Sequence, residues 1–151
     1  MKIINKDLIT FFKQNKEIII SNWLDVEIVK ALLKKFNIKY KIFKESTATE
    51  LIEYFIRIIE EKHAIGACPV IEKLLNVFFE KNFNATDIFA LCNSFKDIIT
   101  FLMIDNSINK DVMRKFYKIQ DQNLQNTLSL YTYKMSKQNE LLKTQRDIIE
   151  D

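Results

Sequence analysis

A chain with one glycine, Gly66, and one proline, Pro69, has almost nothing with which to turn a β-hairpin. Tight hairpin loops need positive φ at one or both central residues, which glycine adopts freely and most other residues resist. Because the two lie three residues apart, the rest of the sequence is left to helices and short links, and an all-α fold is expected. At 151 residues, 48% of them hydrophobic and 28% charged, the chain is long enough for a single domain with a core and has the balance of a soluble globular protein.

Apolar spacing places the helices. Asn5 is the expected cap of a first helix that has Asp7 in its opening turn and carries Leu8, Phe11 and Phe12, with a break or bend near Asn15. A longer helix then presents Ile19, Trp23, Val26, Val29 or Lys30, Leu33 and Phe36 at three- and four-residue intervals. From Asn37 to Lys44 the pattern keeps no helical phase and reads as a connection. Thr47 and Glu50 form a capping box for a helix bearing Leu51, Ile52, Phe55, Ile58 and Ile59, which should stop near His63 at the segment containing Gly66. Pro69 fits the first position of the next helix, whose inner face is Val70, Ile71, Leu74, Leu75, Phe78 and Phe79. After a turn over 82–87, capped by Asn84 or Thr86, comes the most regular amphipathic stretch. It runs from Asp87 to Ile104 with Ile88, Phe89, Cys92, Phe95, Ile98, Ile99, Leu102 and Met103 on its face.

The last helix, capped by Asp105, Asn106 and Ser107, continues to Asp151 with no Gly or Pro and no terminating signal. Two apolar stripes run along it. Ile108, Val112, Phe116 and Ile119 suit packing against the body, while Met113, Tyr117, Leu124, Leu128, Tyr131 and Met135 lie rotated from them. Past Ile119 only the second stripe is read as continuing. Its spacing alternates four and three through Leu124, Leu128, Tyr131, Met135, Gln138, Leu142, Gln145 and Ile149, the seam of a two-stranded coil widened by Leu141 and Ile148. That seam predicts a homodimer.

Catalytic chemistry finds no foothold. One glycine cannot build a phosphate-cradling loop, and the serines have no histidine beside them except His63, which sits where a helix runs out. His63 is also the single candidate for a haem ligand, but the helix before the central one, where a proximal histidine belongs, has none. Cys68 and Cys92 are too far apart for a close-spaced metal or redox motif and read as buried reduced thiols. Carboxylate pairs such as Glu60-Glu61 and Glu150-Asp151 read as solvated, and the pairs Phe11-Phe12, Phe78-Phe79 and Phe89/Phe95 read as core. No metal, cofactor or enzymatic activity is expected. The formal charge of +3 is spread without a basic block, which argues against nucleic acid, and no apolar run nears the roughly 20 residues of a membrane span. The expected location is cytoplasmic.

From Lys13-Gln14-Asn15 through Ile18-Ile19-Ile20 to Trp23, then Phe83-Asn84-Ala85-Thr86-Asp87-Ile88 opening a helix with Phe95-Lys96-Asp97-Ile98-Ile99, then a long outgoing helix, the chain resembles the RsbR-type N-terminal regulatory domain. The likeness is one of pattern over most of the chain, with Trp23 and the 84–88 turn standing out, and Asn84 replaces the glycine often found in that turn. The resemblance implies a globin-like bundle without haem that dimerises and drives a C-terminal output domain through a coiled coil. It divides the chain into a sensor and dimerisation domain over 1–122 and an outgoing signalling helix over 123–151, leading to a covalently attached output domain such as a histidine kinase. The competing expectations are a stand-alone helical adaptor or immunity-type protein, and a haem-binding globin-type sensor using His63.

Overall fold

The computed structural model describes residues 2–150, which form six helices and, among the described residues, no strand. Helix α1 spans Ile3–Leu24 and α2 spans Glu27–Lys35. Helix α3 is continuous but changes gauge, being α-helical over Tyr40–Ile42, π-helical over Phe43–Ala48 and α-helical again over Thr49–Ile59. Helix α4 spans Pro69–Phe78 and ends in one 3₁₀ turn over Phe79–Lys81, α5 spans Ala85–Asp105, and α6 spans Lys110–Glu150. Met1 and Asp151, and with Asp151 the Glu150-Asp151 pair, lie outside the described residues.

The core is built around four phenylalanines, one from each of α1, α3, α5 and α6. Phe12, Phe55, Phe95 and Phe116 stand with ring centroids 5.5–6.5 Å apart, and Trp23 meets Phe95 edge-on at 5.4 Å. Each is at most 3% exposed, and at about 1.5–3 kcal/mol per buried large side chain this cluster outweighs the poor helix propensity of its residues. Helix α1 lies against α3, α5 and α6, α2 covers α5, and α4 bridges α3 and α6.

Several local expectations fail for identifiable reasons. Asn5 does not cap α1: Lys2 is the cap residue, without a side-chain bond, and Asn5 is buried one turn in. Asn15 does not break α1, because its Nδ2 donates to the Phe11 carbonyl one turn back at 2.9 Å instead of competing for the local backbone. The break falls at Asp25 and Val26, where Val26 turns extended and α2 starts afresh. The 37–44 connection is mostly helix, and the Thr47/Glu50 capping box does not form, since the chain runs through that point without an end. There Ser46 Oγ donates to the Ile42 carbonyl and Thr49 Oγ1 to the Lys44 carbonyl, and the wider π turn brings both Phe43 and Ala48 to the buried side. Asp105, Asn106 and Ser107 do not cap α6 either; Asn109 does, its Oδ1 accepting the Asp111 N–H at 2.7 Å. The 84–87 turn is as expected, with Asn84 and Asp87 in a full capping box.

How the helices stop is the larger surprise. Asn37, Glu61, Asn82 and Ser107 all take positive φ, between 53° and 68°. After each, the next N–H reaches back five residues: Ile38 to Leu33 at 2.8 Å, Lys62 to Arg57 at 2.9 Å, Phe83 to Phe78 at 3.1 Å and Ile108 to Met103 at 2.9 Å. These are Schellman closures made without glycine. Gly66, expected to provide the stop after α3, has no positive φ and lies beyond the closure that Glu61 makes.

Candidate functional site

The first stripe of α6 does not end at Ile119, as its apolar members suggested. It continues in polar residues. Val112, Phe116 and Ile119 are followed on the same face by Gln120, Asn123 and Thr127, which are 5%, 3% and 0% exposed. Buried amides and hydroxyls are costly unless bonded, and here each one is. Gln120 Nε2 donates to the Cys92 carbonyl on α5 at 3.0 Å. Asn123 Nδ2 donates to Tyr54 Oη on α3 at 3.0 Å and to the Gly66 carbonyl at 2.9 Å. Thr127 Oγ1 accepts the Cys68 N–H at 3.0 Å and donates to the Asn123 carbonyl at 2.7 Å. Asn126 Nδ2 adds a bond to the Ile65 carbonyl at 3.2 Å, and Tyr54 Oη also accepts the Gly66 N–H at 3.2 Å.

Together these side chains hold the 65–68 segment between α3 and α6, a clasp that fixes α6 in both rotation and register. Burial pushes the Tyr54 hydroxyl above its ordinary pKa, so it stays neutral and can serve as the clasp's shared oxygen.

Beside the clasp lies an internal cavity of about 20 Å³. Its walls include Trp23, Phe55, Leu91 and Phe95, the thiols of Cys68 and Cys92, and Gln120 and Asn123 from α6. Trp23 Nε1 donates to Ser94 Oγ at 3.0 Å, which in turn donates to the Leu91 carbonyl at 3.0 Å, so the indole is committed to the wall. Burial pushes the Cys68 thiol up to about 11 and raises Cys92 as well, leaving both protonated and chemically quiet at neutral pH.

The structure divides the expected coil seam. Leu124, Leu128 and Tyr131 are half-buried and pack partly against the body's own core, Tyr131 meeting Phe79 edge-on at 6.2 Å. Met135 is half-buried, while Leu142 and Ile149 are 57% and 83% exposed, with Leu141 and Ile148 exposed beside them. Contacts with the body continue to Lys134, whose Nζ donates to Asn76 Oδ1 at 2.8 Å. The buried stripe therefore crosses the 122/123 line.

His63 is exposed, with Nδ1 2.7 Å from the Ala64 carbonyl and its ring edge-on to Tyr54 at 5.5 Å. It sits in an open cleft with Glu61, Lys62 and Lys115, away from the internal cavity. Phe89, expected in the core beside Phe95, is 42% exposed on the outer side of α5, and Leu91 takes its place inside. Among the described residues no group of three His, Cys, Asp or Glu side chains could hold a metal ion. No helix of the described residues is long and apolar enough to cross a membrane.

Comparison with protein-family models, with curated proteins and with solved structures returned no match. The clasp residues could have been found in the sequence by following positions 112, 116, 119, 120, 123 and 127 as one helical face, whatever its polarity.

Proposed function

We propose that this chain is a cytoplasmic regulatory module of bacterial signal transduction, a haemless globin-like domain of RsbR type. In this reading the exposed part of α6 pairs with its counterpart in a second copy as a parallel coiled coil and conveys a signal to an attached output domain, such as a histidine kinase. The observation that carries the reading is the division of α6: its first half is fixed to the body by the buried clasp, and its second half projects with exposed apolar residues. A rod gripped at one end by a hydrogen-bonded clasp is suited to transmit motion. A change in the body that releases the 65–68 segment frees Asn123 and Thr127, and α6 turns or slides relative to the core.

The clasp is suited to switching because its bonds form or break together, each bond leaving its partner buried and unsatisfied if lost. Pairing of the projecting halves also explains why they carry Leu141, Leu142, Ile148 and Ile149 in a position open to water.

The test is sedimentation equilibrium over a dilution series, comparing the chain with a Leu142→Lys/Ile149→Lys variant. The expected result is a dimer that the double substitution converts to a folded monomer. A monomer at every concentration in the unsubstituted chain removes the basis of the proposal.

A further inference from the structure

The cavity beside the clasp is walled by residues that are each at most 8% exposed, so whatever enters it leaves bulk water behind. Helices α1, α3, α4, α5 and α6 all contribute to the wall, together with Cys68 from the segment that the clasp holds. Its volume of about 20 Å³ exceeds the roughly 10–15 Å³ of such space that one water needs. There is room for one molecule of a few atoms.

Two observations decide which kind. The polar groups of the wall are already used: Trp23 Nε1 donates to Ser94 Oγ, Gln120 Nε2 to the Cys92 carbonyl, and Asn123 Nδ2 to Tyr54 Oη and the Gly66 carbonyl. The Cys68 N–H goes to Thr127 Oγ1. Among the described residues no buried side-chain nitrogen or oxygen lacks a hydrogen-bond partner. A buried water is held by about two to four polar groups, and no side chain here waits for one. An ion would meet no counter-charge, since no charged side chain lines the space.

The rest of the wall is apolar and polarisable. It consists of the rings of Trp23, Phe55 and Phe95, aliphatic side chains such as Ile71 and Leu91, and the thiols of Cys68 and Cys92. Close-packed interiors hold few voids larger than a water, and a dry one forfeits dispersion contacts that an apolar guest of the right size restores. Bulky apolar ligands are shut out, because Trp23 and Phe55 both pack on Phe95, with ring centroids 5.4 and 5.5 Å from it.

We propose that the cavity binds one small uncharged apolar molecule of two or three atoms, the class to which dissolved dioxygen belongs, and that this guest tightens the clasp. Gln120 and Asn123 belong to the wall and to the clasp at once, and Cys68 joins the wall to Thr127. Opening the clasp displaces the wall and releases the guest, so occupancy holds α6 to the body by mass action. The site does not rest on helix pairing: a monomeric chain that takes up the guest keeps this inference and sinks the dimer.

The experiment follows the methyl groups of the ¹³C-labelled chain by NMR under xenon and under dioxygen pressure. Saturable shifts are expected at Leu51, Val70, Ile71 and Leu91, while Leu142 and Ile149 on the distal rod respond only in proportion to pressure. Cys92→Val, which puts a second branch into the space, should abolish the saturable shifts, and Ile71→Val, which enlarges it, should strengthen them. Amide hydrogen exchange at Gly66 and Cys68, whose N–H groups belong to the clasp, should slow as the cavity fills. No saturation by either gas in the unsubstituted chain and in Ile71→Val, or binding unchanged in a folded Cys92→Val, overturns the site. A long-lived water seen by its cross-relaxation with the Leu91 methyls overturns it in favour of a hydrated pocket. Saturable binding that leaves exchange at Gly66 and Cys68 unaltered overturns the link to the clasp.

Discussion

The two halves of α6 share one helix and little else. From Lys110 to Tyr131 its inner face is set into the core, with Val112, Phe116, Ile119 and Thr127 at 2% exposure or less. From Ser136 to Ile149 every residue is exposed, and the support is local: Lys137 with Glu140 at 3.7 Å, and Thr144 Oγ1 donating to the Glu140 carbonyl at 3.0 Å. An exposed ion pair of that kind contributes roughly 0.2–0.5 kcal/mol, the threonine back-bond adds no stability, and an isolated helix shorter than about 12–15 residues is marginal in water. The contrast teaches that helical periodicity alone does not say what a helix is for. The first half is an element of the fold, and the second presents exposed apolar side chains to solvent.

The contrast is broken most directly by one truncation in each half. Phe116→Ala removes a fully buried ring from the central quartet and should lower unfolding free energy by about 3–5 kcal/mol, read from urea denaturation. Leu142→Ala, in a side chain 57% exposed, should change it by less than about 0.5 kcal/mol at concentrations where the chain is monomeric. Equal losses would mean that the distal half is packed against its own body, and the division would collapse.

Polar contacts sharpen the comparison next. Asn123→Ala leaves the Gly66 carbonyl without its amide donor and takes one of two donors from Tyr54 Oη, an expected cost of about 2–3 kcal/mol. Combined with Tyr54→Phe, the loss should fall short of the sum by about 1 kcal/mol, because both substitutions act on one network. Strict additivity in that double-mutant cycle would show the clasp to be a set of separate bonds, poorly suited to release as a unit.

The same contrast explains what the sequence disclosed. Apolar positions such as Val112, Phe116 and Ile119, the Pro69 start of α4 and the Asn84 capping box were readable because each leaves a local pattern. The clasp was not, because Gln120, Asn123 and Thr127 look like solvent-facing residues until their partners on α3, α5 and the 65–68 segment are in place. Asn15 misled for a related reason: a residue with poor helix propensity is harmless when its side chain bonds the preceding turn. The stop after α3 is expected at Gly66 because left-handed conformation is usually glycine's task, whereas Glu61 performs it there, as Asn37, Asn82 and Ser107 do after other helices.

That reversal yields the smallest expected effects, at the segment that the inner half of α6 grips. Glu61 holds φ at 62°, a conformation that strains a side-chain-bearing residue, so Glu61→Gly should stabilise the fold by roughly 0.5–1 kcal/mol once glycine's greater unfolded freedom is set against the relief. Gly66 has no positive φ, and a Cβ there would meet nothing within 4 Å. Gly66→Ala should therefore stabilise by about 0.4–1 kcal/mol, through the unfolded chain alone. Both are read as shifts in the denaturation midpoint at unchanged slope. If Gly66→Ala instead destabilises, the backbone that Asn123 and Tyr54 hold requires freedom that only glycine has. The clasp would then be closing on a strained segment, and its release would be driven from the loop side, with α6 following.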